Sequence, residues 1–189
     1  MSSKFNLKLR FLGDSILRQK SKEVEEITQE IKDFVKEMIA FLYQTPTGCG
    51  LAAPQVGSLL RIFVIRPEIK DKEGKLILGP AEVYINPKIS NPSDELEITQ
   101  EGCLSIPGVY LDVIRPCSIH VEATNIDGEK ISKEVHGFYA VEIMHENDHL
   151  NGKLFIDRIS KKDKILVEPL LRKIKNSKKI VSTNSNLCI

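Results

Sequence analysis

The chain has 189 residues, enough for one well-packed domain and few for two. With 41% hydrophobic and 28% charged residues, its composition is that of an ordinary globular protein in water. The longest uninterrupted apolar run, 38–43, is far shorter than the roughly 20 residues that span a bilayer, which argues against a membrane protein. No apolar signal segment follows the basic N-terminus, so we expect a cytoplasmic protein.

The overall charge of +1 hides an asymmetry near the C-terminus. The segment 161–179 holds eight Lys or Arg residues and only Asp163 and Glu168, a net charge of +6, which leaves −5 for the remainder. Such a segment is either a solvated helix face or a docking surface for an anionic partner such as RNA.

Four cysteines in a chain without a secretion signal argue against a disulfide framework: Cys49, Cys103, Cys117 and Cys188. A reduced thiol is free to bind a metal or to lie buried and inert. The count does not decide between these two uses.

The first predicted element is a helix over 28–43, because its apolar residues follow the i, i+3, i+4 spacing of one buried stripe. Thr28 is the expected N-cap. Two short β-rich runs follow at 61–65 and 83–85, and Asn86-Pro87 is expected to end the second.

A hairpin is predicted next, with strands at 119–123 and 130–135 and a turn at Asp127-Gly128. A second helix over 138–151 precedes Gly152, which suits a C-cap.

A third helix is predicted over 160–177, starting in a capping box of Ser160 and Asp163, with Pro169 in its middle. This order of elements predicts an α+β fold. We expect antiparallel or mixed sheets packed around a central helix, with an N-terminal and a C-terminal helix. Residues 1–180 are expected to form one catalytic domain, and 181–189 a flexible tail.

The second helix contains HENDH at 145–149. Residues i and i+4 share a helix face, so His145 and His149 can bind one ion, and Glu146 can take a proton from water on that ion. Two histidines leave the identity of a third protein ligand open.

Three candidates for that ligand follow from the sequence. One metalloprotease pattern needs a histidine at position 155, which is Phe155 here, so that pattern fails. Glu168, 19 residues after His149, is the second candidate, although Pro169 disturbs its helix. Cys103 in EGCLS is the third, since a thiolate and two imidazoles leave one coordination position open, as in catalytic sites.

The segment GCGLAAPQVG at 48–57 combines glycines and alanines with a single amide. Gly48 and Gly50 permit another backbone to approach closely. Gln55 can donate a hydrogen bond to a developing oxyanion. Taken alone, the segment is more typical of a loop entering a packed strand.

In this order, GCGLAAPQ, EGCLS and HENDH resemble the three motifs of the peptide deformylases. The resemblance implies hydrolysis of the N-formyl group from the N-formylmethionine of nascent polypeptides, with release of formate. It implies one divalent metal ion on Cys103, His145 and His149. That ion is Fe(II) natively in this family, with Zn, Ni or Co as substitutes.

The resemblance also implies the roles of other residues. Glu146 accepts and returns the proton, and Gln55 with the backbone N–H of Leu104 stabilises the oxyanion. Substrate-binding positions are expected at Gly48, Cys49, Gly50, Leu51, Thr99, Glu101, Gly102, Phe138 and Val141. Arg115 is expected to pair with Glu101 behind the metal ligands.

Three residues depart from common family choices: Cys49 replaces Ile or Val, Thr99 an apolar residue, and Met144 the Gln before the first histidine. They put the shape of the pocket in question but leave the metal ligands intact. The alternatives are a zinc metallopeptidase using Glu168 and a non-catalytic metal- or RNA-binding module. We expect a monomer that contacts the ribosome through 161–179 and binds neither DNA nor membrane.

Overall fold

The structure is a computed structural model that describes residue 5 and residues 7–45 and 48–181, with side chains to residue 176. Within these residues the α-helices are α1 Gln29–Tyr43, α2 Gly137–Leu150 and α3 Lys161–Val181. The strands are β1 Gly50–Ala52, β2 Ile62–Ile65, β3 Glu68–Lys70, β4 Leu76–Leu78, β5 Glu82–Ser90, β6 Leu96–Cys103, β7 Ile106–Pro116, β8 Ser118–Thr124 and β9 Lys130–His136. Short 3-10 helices lie at Ser15–Arg18, Ala53–Val56 and Phe155–Asp157.

The main sheet has five antiparallel strands in the order β1-β2-β5-β8-β9. Side chains alternate across a strand, so β2 serves two cores. Ile62 and Val64 pack with α1, whereas Phe63 and Ile65 pack with α2. All four are buried, which explains why this run reads as continuously apolar.

The helix α2 lies in the middle of the molecule. From Ala140 to its end it has no exposed residue. It packs on the main sheet through Ala140, Val141 and Ile143, among others. A helix buried on nearly all sides is a rigid support for functional side chains.

Two smaller sheets complete the fold: β3 pairs with β4, and β6 pairs with β7. The inward face of β7 packs through Val109 and Val113 against a cluster that includes Leu171 of α3 and Phe155. The hairpin β6-β7 is thereby fixed beside the C-terminal end of α2. The predicted α+β fold around a central helix, with helices at both ends, is confirmed.

Most predicted elements are present at nearly their predicted bounds. The Thr28 hydroxyl accepts from the backbone N–H of Ile31 at the start of α1. Strands β8 and β9 form the predicted hairpin. Gly152, with φ of 67°, follows the end of α2. The hydroxyl of Ser160 and the carboxylate of Asp163 form the predicted cap of α3.

The prediction that Asn86-Pro87 ends the second strand is wrong, since β5 continues through both residues to Ser90. The register with β8 shifts between Ile85 and Lys88, so the pair forms a bulge in which proline is tolerated. Asn86 adopts φ of 53° there.

The helix α3 also runs past the predicted end at residue 177 and continues through Pro169. The carbonyl four residues earlier belongs to Ile165, which is exposed, so water can replace the donor that proline lacks. Of the predicted tail, residues 182–189 lie outside the described part of the chain. No helix in the described part is long and apolar enough to cross a membrane.

The side chain of Asn86 ties the bulge to the N-terminal segment. Its amide donates to the carbonyl of Val24 and its oxygen accepts from the N–H of Val24, both at 2.8 Å. We expect Asn86→Ala to lower the free energy of unfolding by about 2–3 kcal/mol, because it removes both partners of Val24. Urea unfolding measures this. Asn91→Ala is the control, since Asn91 shares the positive φ but is exposed, and an equal loss there would contradict the explanation.

Candidate metal centre and active site

Three potential metal ligands meet at one place. One ligand atom each from Cys103, His145 and His149 lies within 4.8 Å of the other two. The sulfur of Cys103 is 3.2 Å from Nε2 of His149. A thiolate and two imidazoles suit a borderline-soft divalent cation such as Zn²⁺ or Fe²⁺, so these residues fit the predicted ion.

Two separate elements supply these ligands. His145 and His149 are one turn apart on α2, and their rings lie edge to face at 5.2 Å. Cys103 ends β6, where it pairs with Ile106 across the two-residue turn of Leu104 and Ser105. This turn places the thiol of Cys103 against His149 of α2.

A buried ion-pair network holds the two elements together. Both carboxylate oxygens of Glu101 accept from Arg115, at 2.6 and 2.9 Å. Arg115 also donates to Asp148 of α2 at 2.8 Å. All three residues are at least nine-tenths buried.

Glu101 also orients the first histidine. Its Oε2 lies 2.7 Å from Nδ1 of His145, which leaves Nε2 of that ring for a metal. Burial alone would raise the pKa of Glu101, but the hydrogen bonds from His145 and Arg115 outweigh it and lower the pKa to about 2. Glu101 is therefore a fixed anion behind the site.

The two histidines lie in a dry environment. His149 is 1% exposed, and burial lowers its pKa well below the usual range, which favours the neutral ring that binds metals. The ring of Phe155 stacks on His145 with centroids 6.1 Å apart. Phe155 thus occupies the place of the third histidine of the protease pattern and packs against a ligand instead.

Glu146 faces strand β1 across a very narrow gap. A Cβ atom added to Gly50 would lie 2.3 Å from Oε1 of Glu146, so only glycine permits this approach. Among the described residues, Oε2 of Glu146 has no hydrogen-bond partner. Burial raises the pKa of Glu146 to about 7, which suits a group that both accepts and returns a proton near neutral pH.

The backbone of Ala52 orients the side chain of Gln55. Its Oε1 accepts from the N–H of Ala52 at 2.7 Å, so its NH2 group must point the other way. That group lies 3.5 Å from the sulfur of Cys103 and 3.3 Å from the hydroxyl of Ser105. An amide donor is thus held beside the metal ligands.

The other predicted substrate-binding residues occupy different depths around the site. Leu51 and Val141 are buried in the two cores, so Leu51 can offer substrate only its backbone. Phe138, at the start of α2, is 43% exposed. Gly102 is covered by the ring of Tyr110, 2.5 Å from where a Cβ would lie. Thr99 is half-buried on β6.

Glu168, the alternative third ligand, lies on α3 and accepts from Arg172 at 2.8 Å. It is not part of the ligand group around the histidines. Three further buried polar side chains lie near the site and were not among the predicted site residues: Ser105, Asp148 and Glu142. Asp148 had a signal, because it is an acidic residue within HENDH itself.

The chain resembles known proteins over most of its length. A family model described as polypeptide deformylase matches residues 7–165. A peptide deformylase from a Bradyrhizobium strain is 45% identical over 157 residues, which is 82% of this chain and 89% of the relative.

Solved structures give the same result. A plant peptide deformylase has a TM-score of 0.83 at 35% identity and covers 97% of both chains. The peptide deformylase of Synechococcus elongatus, solved in complex with actinonin, has a TM-score of 0.78 at 42% identity and covers 91% of this chain and 90% of its own.

The fold and the site together define a metal-dependent hydrolase whose histidine pair lies on a buried central helix. The chain belongs to the peptide deformylase family. It is an enzyme that removes the N-formyl group from N-formylmethionyl polypeptides and releases formate.

The Arg115 network gives a prediction for stability. Arg115→Leu leaves the carboxylates of Glu101 and Asp148 buried without their shared partner, so we expect a loss of about 3–5 kcal/mol in the free energy of unfolding. Chemical denaturation measures it. Arg172→Leu is the control, because Arg172 forms an exposed pair with Glu168 and such pairs contribute about 0–1 kcal/mol. Equal losses in the two variants would refute the role of the network.

Proposed function

We propose that Cys103, His145 and His149 hold one divalent ion and that Glu146 moves the protons of deformylation. The observation that carries this proposal is the meeting of the three ligand atoms within 4.8 Å, next to a glutamate with a free carboxylate oxygen. One catalytic domain, residues 1–180, contains all these parts.

The ion is Fe(II) in our proposal, with Zn, Ni or Co as substitutes. The ligand set suits each of these cations, because imidazole and thiolate bind all of them. Once bound, the ion supplies Lewis acidity that polarises the formyl oxygen and lowers the pKa of water.

We place the substrate along strand β1. This strand lies at the edge of the main sheet and pairs only with β2 among the described strands. Its free side can pair with an extended peptide, as in other cases of strand addition. Gly48, Cys49 and Gly50 add little side-chain bulk there, and we expect Gly102 and Phe138 to border the same space.

The residues then act in sequence. Glu146 accepts a proton from the water that attacks the formyl carbon. The NH2 group of Gln55 and the N–H of Leu104 donate to the oxygen on which negative charge develops. Glu146 returns the proton to the departing amine, so the C–N bond breaks and formate and a free methionine N-terminus result.

Two substitutions separate metal binding from catalysis. We expect Cys103→Ala to lose the metal and all deformylation of formyl-Met-Ala-Ser. Glu146→Ala should keep the metal and lose at least about 10²-fold in kcat, because only the proton acceptor is removed. Anaerobic metal analysis beside a formate assay measures both. Full metal content and activity in Cys103→Ala would overturn the ligand assignment and favour a site built with Glu168.

We further propose a cytoplasmic monomer that works on nascent chains and contacts the ribosome through 161–179. Lys162, Arg172 and Lys173 are exposed on α3, as are the apolar side chains of Ile165 and Leu166. The positive charge suits a contact with RNA, and the exposed apolar area suits a contact with protein at the same site.

For this contact we expect Lys162→Glu with Lys173→Glu to weaken ribosome binding at least tenfold, because each change replaces attraction to phosphate by repulsion. Cosedimentation at 50 and 200 mM salt measures it, and binding should also fall with salt. Lys36→Glu, on an exposed position of α1, is the control. An affinity that changes neither with salt nor with the double substitution would contradict the proposal.

A further inference from the structure

The glutamate one turn before Glu146 has no role in the mechanism above. Glu142 is 5% exposed, and in the described part of the chain its carboxyl oxygens have no hydrogen-bond partner apart from the weakly donating thiol of Cys49. A buried polar group without partners is destabilising by about 1–3 kcal/mol, and an apolar residue would avoid this. Such a group is expected to serve a ligand.

The position of Glu142 relates it to the substrate. It shares a face of α2 with Phe138 and Glu146, since Phe138 lies four residues before it and Glu146 four residues after it. Opposite this face lies the start of β1: Glu146 meets Gly50, and the thiol of Cys49 interacts with the Glu142 carboxyl. The row from Glu146 to Phe138 thus follows the gap between α2 and β1 from the metal ligands to the surface.

The surroundings favour the protonated carboxyl. Burial raises the pKa of Glu142 to about 8, the thiol of Cys49 lowers it in part, and the carboxylates of Glu146 and Glu68 raise it further, whereas His145 opposes them. Burial also raises the pKa of Cys49, so the thiol beside it is neutral. Two uncharged hydrogen-bonding groups therefore line this part of the gap.

We propose that Glu142 determines specificity for the first residue of the substrate by donating a hydrogen bond to its thioether sulfur. The inference depends on the proposed binding of substrate along β1, which places the first side chain against this face of α2. The sulfur is a weak acceptor, and the carboxyl is a donor that no protein group uses.

The test compares methionine with norleucine, which has a CH2 group in place of the sulfur. A purely apolar pocket would accept norleucine at least as well, because it is the more apolar side chain. Formyl-Met-Ala-Ser and formyl-norleucyl-Ala-Ser compete in one assay of the metal-loaded enzyme. The ratio of their kcat/KM values is then independent of the fraction of active enzyme.

We expect the wild-type enzyme to prefer methionine by roughly three- to tenfold, the range of a single neutral hydrogen bond. Glu142→Gln keeps a donor and should keep the preference. Glu142→Leu should abolish it and raise the Tm by about 2–4 °C, because an unpartnered polar group is removed. Glu142→Ala should also abolish the preference, and it tests the role of the carboxyl if the leucine variant does not fold. Glu122→Leu, on an exposed position of β8, is the control that keeps it.

Equal use of the two peptides by the wild type, or a preference that persists in both Glu142→Leu and Glu142→Ala, would overturn this inference and leave the deformylase mechanism intact. A fall in Tm with an unchanged preference would show a structural role instead. If neither peptide loses its formyl group, the proposed function itself fails.

Discussion

The buried ion-pair network of Arg115 with Glu101 and Asp148 is the interaction on which the site depends. The cysteine lies on a two-stranded hairpin and the histidines on a helix, and the cysteines within the described residues form no disulfide that would fix one to the other. Arg115 bridges them because its planar guanidinium bonds Glu101 at two points and Asp148 at a third. Glu101 also holds the ring of His145, so it links the ion-pair network to one of the proposed metal ligands.

A second constraint is the close approach of β1 to α2. Gly50 lets the carboxylate of Glu146 lie against the strand that we expect to bind the peptide. In the proposed mechanism, this approach places the proton carrier beside the substrate backbone. The same approach buries Glu142 beside Cys49, where an apolar residue would be more stable. Functional sites commonly retain such locally unfavourable residues.

Local sequence patterns predicted an element well where its apolar residues followed a single helical or strand period. The helices and the β8-β9 hairpin follow from apolar spacing, caps and a turn dipeptide, all of which act within a few residues. The end of β5 was mispredicted because a bulge, stabilised by the distant Val24, tolerates Asn86 and Pro87 within the strand. The predicted helix across Pro169 is present because the carbonyl that proline leaves without a donor belongs to the exposed Ile165, where it can bond to water.

The sequence by itself determined the family, the helix that carries the histidine pair and the kind of metal ion that this pair suits. These are properties of residue type and short spacing. Spacing alone left the third ligand open between Cys103 and Glu168, which are distant in the chain, and the resemblance to the deformylases favoured Cys103. Tertiary structure brings Cys103 to the two histidines by packing the β6-β7 hairpin on α2, and it leaves Glu168 paired with Arg172 on the surface. It also revealed that Glu142 is buried with no partner but the thiol of Cys49 in the described part of the chain, because burial is set by neighbours from other elements and leaves no local signal in the sequence.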